Sequence, residues 1–437
     1  SRKDCSDIVN FLVEDIIASL HDENVAYAVF DNHKRGDYKP YIMKTTNRGK
    51  NWKLISNDLP EWGSVHTIAE DHIDPNLLFV GTEFGLFFSQ NGGENWTQMK
   101  GKFPTISVRD IEIQRRESDL VVATFGRGIY ILDDYSPLRA DPADLKKREA
   151  TLFDVKDSWL YLQGYQYGGE RKGSNGDAYF SADNPAYGAV FSYYLRDGYQ
   201  TMQQQRRNEE KVVEKDGGDT PYPSWDTLRK EDREEAPTVF LEVKDANGMV
   251  VRRVDAVAKK GLHRVAWDMH YPSSAPVKLS KPSGYVPPWA VSPKGPIALP
   301  GEYTVTLKKR QFGKVSVLAE AQPFNLKLLN NSPEITTDRV GLLAIQKRVA
   351  NLLRSVRGAS RAQTQIEDRI KHLTAAINLT PSSTEQHAQA ARALTARVAQ
   401  LSVLLDGDAT VRARQEPVPW SVSGRTSSLY YAITGSQ

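Results

Sequence analysis

The feature that most constrains this chain is an eight-residue pattern that occurs twice, at residues 45–52 and 89–96. Both copies read hydroxyl residue, any, Asn, any, Gly, any, Asn and Trp, and their tryptophans lie 44 residues apart. A short strand-like run precedes and follows each copy. A four-stranded blade of a β-propeller takes about 40 to 50 residues. The spacing therefore predicts propeller blades that carry the pattern at the turn between two strands.

The residue types in this pattern suit a tight turn. The glycine permits a left-handed backbone, the hydroxyl and amide side chains can bond to backbone groups of the turn, and the tryptophan can cover the turn and pack between sheets. The pattern therefore favours a structural role over ligand binding. The predicted structural positions are Thr45, Asn47, Gly49 and Trp52 in the first copy and Ser89, Asn91, Gly93 and Trp96 in the second.

A third copy lacks the pattern but keeps the order of strands. Residues 121–130 align with residues 78–87, and residues 109–112 open this copy as residues 15–18 open the first. Residues 1–138 are thus predicted to form three blades. A closed propeller needs at least about four blades, so we expect the remaining ones to lie upstream in the same parent protein or in another chain, and to be partners of this segment.

The sequence resembles a known family at the end of the third copy. The two repeats, together with residues 123–134 and 136–139, look like the last blade of bacterial sortilin-like Asp-box propeller proteins. Phe125 is a departure, since the family more often has His there. The resemblance implies a large extracellular or cell-envelope protein, of a kind often labelled glycosyl hydrolase by analogy with sialidases and xyloglucanases. On this basis the three copies are the last three blades.

Residues 139–184 are predicted to be a connecting region. A stretch at residues 164–173 is rich in glycine and aromatic residues, which favours a long loop over a ligand platform. Residues 185–330 contain several short strand-like runs separated by turn residues, which predicts a β-sandwich. This part resembles the immunoglobulin-like module that follows such propellers. Its charged insertion, residues 202–235, is predicted to be an exposed helix or disordered.

From residue 331 to residue 437 the apolar period becomes helical, which predicts a helical hairpin followed by a short final helix. Residues 338–414 hold 12 Lys and Arg against 6 Asp and Glu, a balance of +6. This charge suits either an acidic partner or, more simply, a solvated helix face. The apolar stripes are predicted at Leu343, Val349, Leu352, Val356, Ile366, Ile370, Leu373 and Ile377 in the first helix and at Leu394, Val398, Leu401 and Leu405 in the second.

Composition excludes several classes of function. The whole chain has 57 basic and 54 acidic residues, a balance of +3, and this gives no electrostatic case for binding nucleic acid. No apolar run approaches the length of about 20 residues that spans a bilayer. Cys5 is the only cysteine, so an intrachain disulfide and a cysteine-rich zinc site are both excluded. No metal-binding, phosphate-binding or dinucleotide motif occurs, so no metal and no cofactor is predicted.

The sequence also offers candidates for a catalytic or binding site in the propeller. A glycosidase needs two carboxyl groups beside its substrate, and a sialidase also needs arginines for the substrate carboxylate. Arg109 and Arg127 are candidates for binding in the propeller channel. None of the acidic candidates is assigned as catalytic, because carboxylates at strand ends are commonly structural. The acidic candidates are Glu83, Asp110, Glu112, Asp133 and Asp134.

These observations predict a mainly β protein with an α-helical C-terminal part. The favoured function is a propeller that binds a protein or glycan ligand, or holds an assembly together, and is not catalytic in this segment. One alternative is a carbohydrate-active hydrolase, sialidase-like or xyloglucanase-like, whose active site lies mostly in upstream blades. Another is a structural subunit of a larger extracellular complex.

Overall fold

The computed structural model describes residues 11–101, 103–161, 184–277, 294–329 and 338–434. The chain divides into two compact units, residues 1–149 and residues 150–437. The described residues are mainly β, in several antiparallel sheets, and become helical toward the C-terminal end. This confirms the coarse fold class, whereas the number of blades and the immunoglobulin-like character of the second unit stay predictions. The glycine-rich stretch at residues 164–173 lies outside the described residues.

The first unit contains three antiparallel sheets, each built from strands that follow one another in sequence. The first sheet contains β1 (Leu12–Ala18), β2 (Ala26–Asn32), β3 (Asp37–Thr45) and β4 (Lys53–Leu54); the second contains β5 (Val65–Glu70), β6 (Leu78–Thr82), β7 (Gly85–Ser89) and β8 (Thr97–Gln98); the third contains β9 (Val108–Gln114), β10 (Asp119–Thr124) and β11 (Ile129–Leu132). A short helix, α1 (Pro142–Lys147), follows them.

The three sheets pack face to face in chain order. One apolar core joins the first and second sheets; it is built from Tyr27, Val29, Ile42, Ile55, Leu59, Val65, Ile68, Leu78, Val80, Phe87 and Trp96. A second core joins the second and third sheets; it is built from Leu77, Phe79, Leu86, Val108, Ile111, Leu120, Val122 and Tyr135. Because residues alternate between the two faces of a strand, the middle sheet contributes one face to each core.

The first repeated turn connects β3 to β4 and is held by its own side chains. The Gly49 backbone N–H donates to Thr45 Oγ1 over 2.9 Å, and the Asn51 N–H donates to Asn47 Oδ1 over 2.8 Å. Gly49 has a φ of 79°, in the left-handed region that glycine adopts most easily. Trp52 is half-buried beside it.

The second repeated turn, between β7 and β8, has the same hydrogen bonds. The Gly93 N–H donates to Ser89 Oγ over 2.9 Å, and the Asn95 N–H donates to Asn91 Oδ1 over 3.0 Å. Trp96 is buried, and its indole N–H donates to the Ile55 carbonyl over 2.8 Å. In this copy the tryptophan therefore connects the second sheet to the first.

A buried ionic network attaches the segment after β11 to the second sheet. Asp71, fully buried at the end of β5, accepts from Arg139 Nε over 2.8 Å and Nη2 over 2.9 Å, and from the Tyr135 hydroxyl over 2.6 Å. Burial alone would raise the pKa of Asp71, but the hydrogen bonds from Arg139 and Tyr135 outweigh it and lower this pKa to about 2. The Asp71 carboxylate is therefore ionised at neutral pH.

The second unit begins with two sheets that share one apolar core. The smaller contains β12 (Ala150–Leu152), β14 (Ala189–Leu195) and β17 (Gly261–Trp267); the larger contains β13 (Ser158–Leu160), β15 (Thr238–Asp245), β16 (Val250–Ala256), β18 (Gly301–Gln311) and β19 (Lys314–Leu328). Trp267 is buried in this core between Tyr303 and Phe324. The strands β12 and β13 fall in the predicted connecting region, whose described part is therefore partly sheet.

The charged insertion forms two helices, α2 (Met202–Lys215) and α3 (Trp225–Arg233). Thr201 caps α2 in a capping box with Gln204, which satisfies backbone N–H groups at the helix start. Arg206 on α2 bonds with two nitrogens to Glu231 on α3, over 2.7 and 2.8 Å. Of the two structures predicted for this segment, the exposed helical one is observed.

The C-terminal helices are α4 (Arg339–Leu379), α5 (Glu385–Asp406), α6 (Ala409–Arg412) and α7 (Val422–Thr434). The helices α4 and α5 form the predicted hairpin, and α7 packs on the first half of α4. The predicted apolar stripe is partly wrong. Leu353 is fully buried, whereas Leu352 is 49% exposed, because α7 packs on the face that contains Leu353. The other predicted stripe residues with about half their surface exposed are Ile366, Leu373, Leu394 and Leu401.

Candidate functional site

A pocket of about 480 Å³ lies where turns of the three sheets of the first unit meet. The residues come from the segment after β2, the start of β3, the loop before β5 and the start of β5, the turn between β6 and β7, and the start of β9. The pocket is lined by His33, Tyr38, Trp62, Gly63, Ser64, His66, Glu83, Phe84 and Arg109. Because all three sheets contribute, the pocket exists only when the sheets are stacked.

His66, Glu83 and Arg109 form one polar cluster in this pocket. The His66 ring lies 2.8 Å from Glu83 Oε2 through Nε2 and 3.2 Å from Arg109 Nη1 through Nδ1. A guanidinium only donates hydrogen bonds, so Nδ1 accepts from Arg109 and Nε2 donates to Glu83. This arrangement fixes His66 as the neutral tautomer with its proton on Nε2. Arg109 Nη2 also donates to Glu83 Oε2 over 3.4 Å, so the guanidinium and the carboxylate compensate each other's charge.

Asp31, Ser64 and His33 form a second polar cluster. Asp31 is buried and accepts from Ser64 Oγ over 2.7 Å, from the His33 backbone N–H over 3.0 Å, and bonds to the His33 ring. Burial alone would raise the pKa of Asp31, but the hydrogen bonds from Ser64 and His33 outweigh it and hold this pKa below its usual range. Asp31 therefore stays ionised.

Exposed aromatic rings surround these polar groups. Tyr38, Trp62 and Phe84 line the pocket with 47%, 67% and 49% of their surfaces exposed. The Tyr38 and Trp62 ring centroids are 6.3 Å apart. Arg109 lies over the ring of Phe125, 5.5 Å from its centroid. Large exposed aromatic surfaces next to buried polar groups are typical of sites that bind a ligand with both apolar and polar parts.

Two backbone hydrogen bonds hold the loop before β5: one joins it to β3 of the first sheet, and the other joins it to the turn between β6 and β7. The Gly63 N–H donates to the Tyr38 carbonyl over 2.8 Å, and the Glu83 N–H donates to the Ser64 carbonyl over 2.9 Å. Gly63 has a φ of 134°, and a Cβ at this position would lie 3.0 Å from the ring of Phe84. A glycine between Trp62 and Ser64 therefore allows the loop to approach Phe84 closely.

Both carboxylates at the pocket accept several hydrogen bonds. Glu83 accepts from His66, Arg109 and, over 3.1 Å, from Ser107 Oγ. Asp31 accepts from two residues and has a lowered pKa. A glycosidase needs one carboxyl group that stays protonated at working pH, and the lowered pKa of Asp31 does not suit that role.

The structure separates the residues that the sequence singled out. It brings Arg109 and Glu83 together in the pocket, whereas Arg127 lies exposed on the turn between β10 and β11 and does not line the pocket. In the third sheet, Ala123 on β10 pairs with Asp110 on one side and Ile129 on the other, and Val121 pairs with Glu112 and Ile131 in the same way. Asp110 and Glu112 therefore lie on the same outer face as the two isoleucines.

Asp134 has a local structural role. Its Oδ1 accepts from Ser136 Oγ over 2.6 Å, and its backbone N–H donates to Asp119 Oδ1 over 2.8 Å. The neighbouring Asp133 is exposed and is not among the residues that line the pocket. The positions of Asp133 and Asp134 therefore do not support a catalytic role for either residue.

Sequence reasoning missed most of the pocket. Trp62, Tyr38, His66 and Asp31 were not singled out, although one signal for them exists. The run Trp62-Gly63-Ser64 places a large aromatic residue beside a glycine in a loop, where an aromatic side chain has no sheet to pack into.

Within the described residues, no group of three or more His, Cys, Asp or Glu side chains is arranged to hold a metal ion. None of the described helices is long and apolar enough to cross a membrane.

No family model and no curated protein matches this chain. Solved structures of propeller type do. An ancestral GH74 enzyme is 25% identical over 26% of this chain and 14% of its own, with a TM-score of 0.22. The GH74 xyloglucanase from Xanthomonas campestris is 14% identical over 42% of this chain and 27% of its own, with a TM-score of 0.24. PorZ, a bacterial surface component of the type-IX secretion system of Porphyromonas gingivalis, is 12% identical over 74% of this chain and 40% of its own, with a TM-score of 0.26. The chain thus spans less than half the length of these proteins.

Proposed function

We propose that the first unit consists of blades of an extracellular propeller and binds an uncharged saccharide, without turnover, in the pocket around His66. The observation that carries this proposal is the set of exposed rings of Tyr38, Trp62 and Phe84 beside two polar clusters. A sugar ring has an apolar face of C–H groups and an edge of hydroxyl groups. The aromatic rings suit the first, and the hydrogen-bonding groups of His66, Glu83 and Arg109 suit the second.

The charges of the pocket support an uncharged ligand. Arg109 and Glu83 compensate each other, and His66 is neutral in the tautomer that its two partners fix. A ligand carboxylate would have to replace Glu83 as the partner of Arg109, which costs the desolvation of a second acidic group. The hydrogen bonds that Glu83 and Asp31 already accept within the protein support binding over the hydrolase alternative.

The outer face of the third sheet supports a second part of the proposal, in which the chain is one piece of a larger assembly. Ile129 and Ile131 point away from the core there with 68% and 61% of their surfaces exposed. These two isoleucines, which share the face with Asp110 and Glu112, suit the packing of another sheet. We propose that another blade, from the parent protein or another chain, packs on this face.

We further propose the domain boundaries given by the sequence: blades at residues 1–138, a connection at residues 139–184, an immunoglobulin-like sandwich at residues 185–330 and a helical part at residues 331–437. The eight repeated-turn residues keep their structural role.

The test of ligand binding is a glycan array with a parallel turnover assay on the same chain. Trp62→Ala is expected to weaken binding of the selected saccharide by about tenfold or more, because it removes the largest exposed ring of the pocket. Trp225→Ala is the matched control, since Trp225 on α3 has the same exposure of 67% and lies outside the pocket.

Binding that Trp62→Ala weakens and Trp225→Ala leaves unchanged supports the proposal. Equal weakening by both substitutions would contradict the site. Release of reducing sugar by the unaltered chain, abolished by Glu83→Gln, would replace binding with hydrolysis. Capture of peptides but no saccharide would show that the ligand class is wrong.

A further inference from the structure

We propose that one face of the hairpin formed by α4 and α5 is a docking groove for an acidic amphipathic helix. The hairpin is antiparallel, because only residues 380–384 separate the two helices and Ser360 Oγ on α4 donates to Asp406 Oδ1 at the end of α5 over 3.0 Å. This bond sets the level of the two helices. Both helices rise by the same distance per residue, so positions equally far from Ser360 and Asp406 lie side by side. Ile366 is therefore level with Leu401, and Leu373 with Leu394, to within about one residue.

On α4, the residues that face α5 are buried and those beside them are not. Gln363 and Ile370 are buried, whereas Ile366 and Leu373, each three residues further on, are 46% and 54% exposed. Three residues turn an α-helix by about 300°, which is about 60° backward. Ile366 and Leu373 therefore lie to one side of the contact between the helices.

The second helix has the same arrangement. Ala391 and Val398 are buried, whereas Leu394 and Leu401, again three residues further on, are 46% and 52% exposed. Because the two helices run in opposite directions, a backward rotation on each moves both pairs toward the same side of the hairpin. Two parallel rows of exposed aliphatic side chains thus border one groove.

Arginines border this groove on both outer edges. Arg369 directly precedes buried Ile370, and Arg397 directly precedes buried Val398, so each lies about 100° backward from the helix contact. Both are exposed, and neither has an ion pair with another residue that the structure describes. Glu367 lies on the other side of α4, where it accepts from Gln363 Nε2 over 3.0 Å.

The apolar rows and the basic edges together identify the occupant. An amphipathic helix lays one apolar stripe into a groove between two helices, and acidic residues on both flanks of that stripe would pair with Arg369 and Arg397. A second copy of the hairpin suits the groove less well, because it would bring four arginines together without acidic partners.

The experiment uses the full chain and two synthetic helical peptides of about 20 residues with the same leucine stripe. One peptide carries Glu on both flanks of the stripe and the other carries Lys at the same positions. Fluorescence anisotropy of labelled peptide is expected to show saturable binding of the Glu peptide only. Leu373→Asp is expected to weaken this binding about tenfold or more, without a change in thermal unfolding because Leu373 is already exposed.

Leu379→Asp is the matched control, since Leu379 is 84% exposed and lies nine residues from Ile370, on the opposite face of α4. The double variant Arg369→Glu, Arg397→Glu is expected to reverse the preference toward the Lys peptide, whereas Arg392→Glu, on another face of α5, is expected to leave it unchanged. A reversal would support both the groove and the charge of its occupant.

Equal binding of both peptides by the unaltered chain would overturn the acidic occupant. So would a concentration-dependent dimer that Leu373→Asp abolishes while neither peptide binds, because the groove would then hold a second copy. Binding to vesicles of anionic phospholipid in the absence of peptide binding would assign the face to a membrane surface and also overturn the proposal.

Discussion

At the scale of single residues, Asp71 explains the structural role of a sequence motif at the end of the third sheet. The segment Ser136-Pro137-Leu138-Arg139 carried part of the family resemblance, and the structure gives Arg139 a bidentate ion pair with buried Asp71. Tyr135 adds a third hydrogen bond to the same carboxylate. These residues hold the end of the third sheet on the second.

Asp71→Asn is expected to lower the free energy of unfolding by about 3 kcal/mol, the lower end for breaking a buried ion pair, because Arg139 keeps some exposure. The measurement is chemical denaturation at neutral pH. Asp144→Asn, which removes an exposed ion pair with Lys147, is the control and should leave stability unchanged. A loss of stability no larger than that of the control would contradict the role of the network.

The same pair gives an expected pH dependence. The pKa of Asp71 falls from an ordinary 3.8 to about 2 in the folded chain, so its stabilisation is present above pH 4 and is lost as the pH falls toward 2. The shift corresponds to about 2 kcal/mol. Denaturation midpoints of Asp71→Asn are therefore expected to fall less steeply over this acid range than those of the unaltered chain, and equal slopes would contradict the assignment.

At the scale of the elements, two turns with one sequence pattern differ in their surroundings. A Cβ added at Gly49 would lie 3.9 Å from the nearest atom, the Nε1 of Trp52, whereas a Cβ added at Gly93 would lie 2.7 Å from Ile55 Cδ1. Both glycines have positive φ, 79° and 93°. An alanine would therefore strain the backbone at both positions, whereas it would clash with a neighbouring side chain only at Gly93.

Gly49→Ala is expected to lower the free energy of unfolding by about 1 kcal/mol, the cost of placing a side chain in left-handed backbone. Gly93→Ala is expected to cost about 1–3 kcal/mol more, because it also overpacks the core between the first and second sheets. Urea denaturation of the two variants tests the difference. Equal losses would show that Ile55 moves aside without cost.

The sequence predicted the repeat strands, where strand-like runs flank the repeated turns. It missed β19, the longest strand of the larger sheet, whose exposed face dilutes the alternation between Lys314 and Leu328. The hairpin was predicted, but not which leucines its partner helices would cover. The pocket was missed for a different reason, since Tyr38, Trp62 and His66 come together only through sheet stacking.

At the scale of the whole molecule, the proposed saccharide pocket and the proposed helix groove belong to different compact units. The first needs three stacked sheets, and the second needs only a two-helix hairpin. Each can therefore be altered without the other, and loss of saccharide binding in Trp62→Ala with intact peptide binding would separate a local effect from global unfolding.

The outer face of the third sheet decides whether this chain is one piece of a larger β assembly. Replacing Ile129 and Ile131 with lysine should leave the unfolding free energy nearly unchanged, because both side chains are mostly exposed. The unaltered chain is expected to self-associate at high concentration through these exposed isoleucines, and sedimentation velocity should show less association for the double variant. Leu373→Asp, on the hairpin, should not reduce it. Association that persists in the double variant would mean that another surface carries it, and that no further sheet packs against these isoleucines.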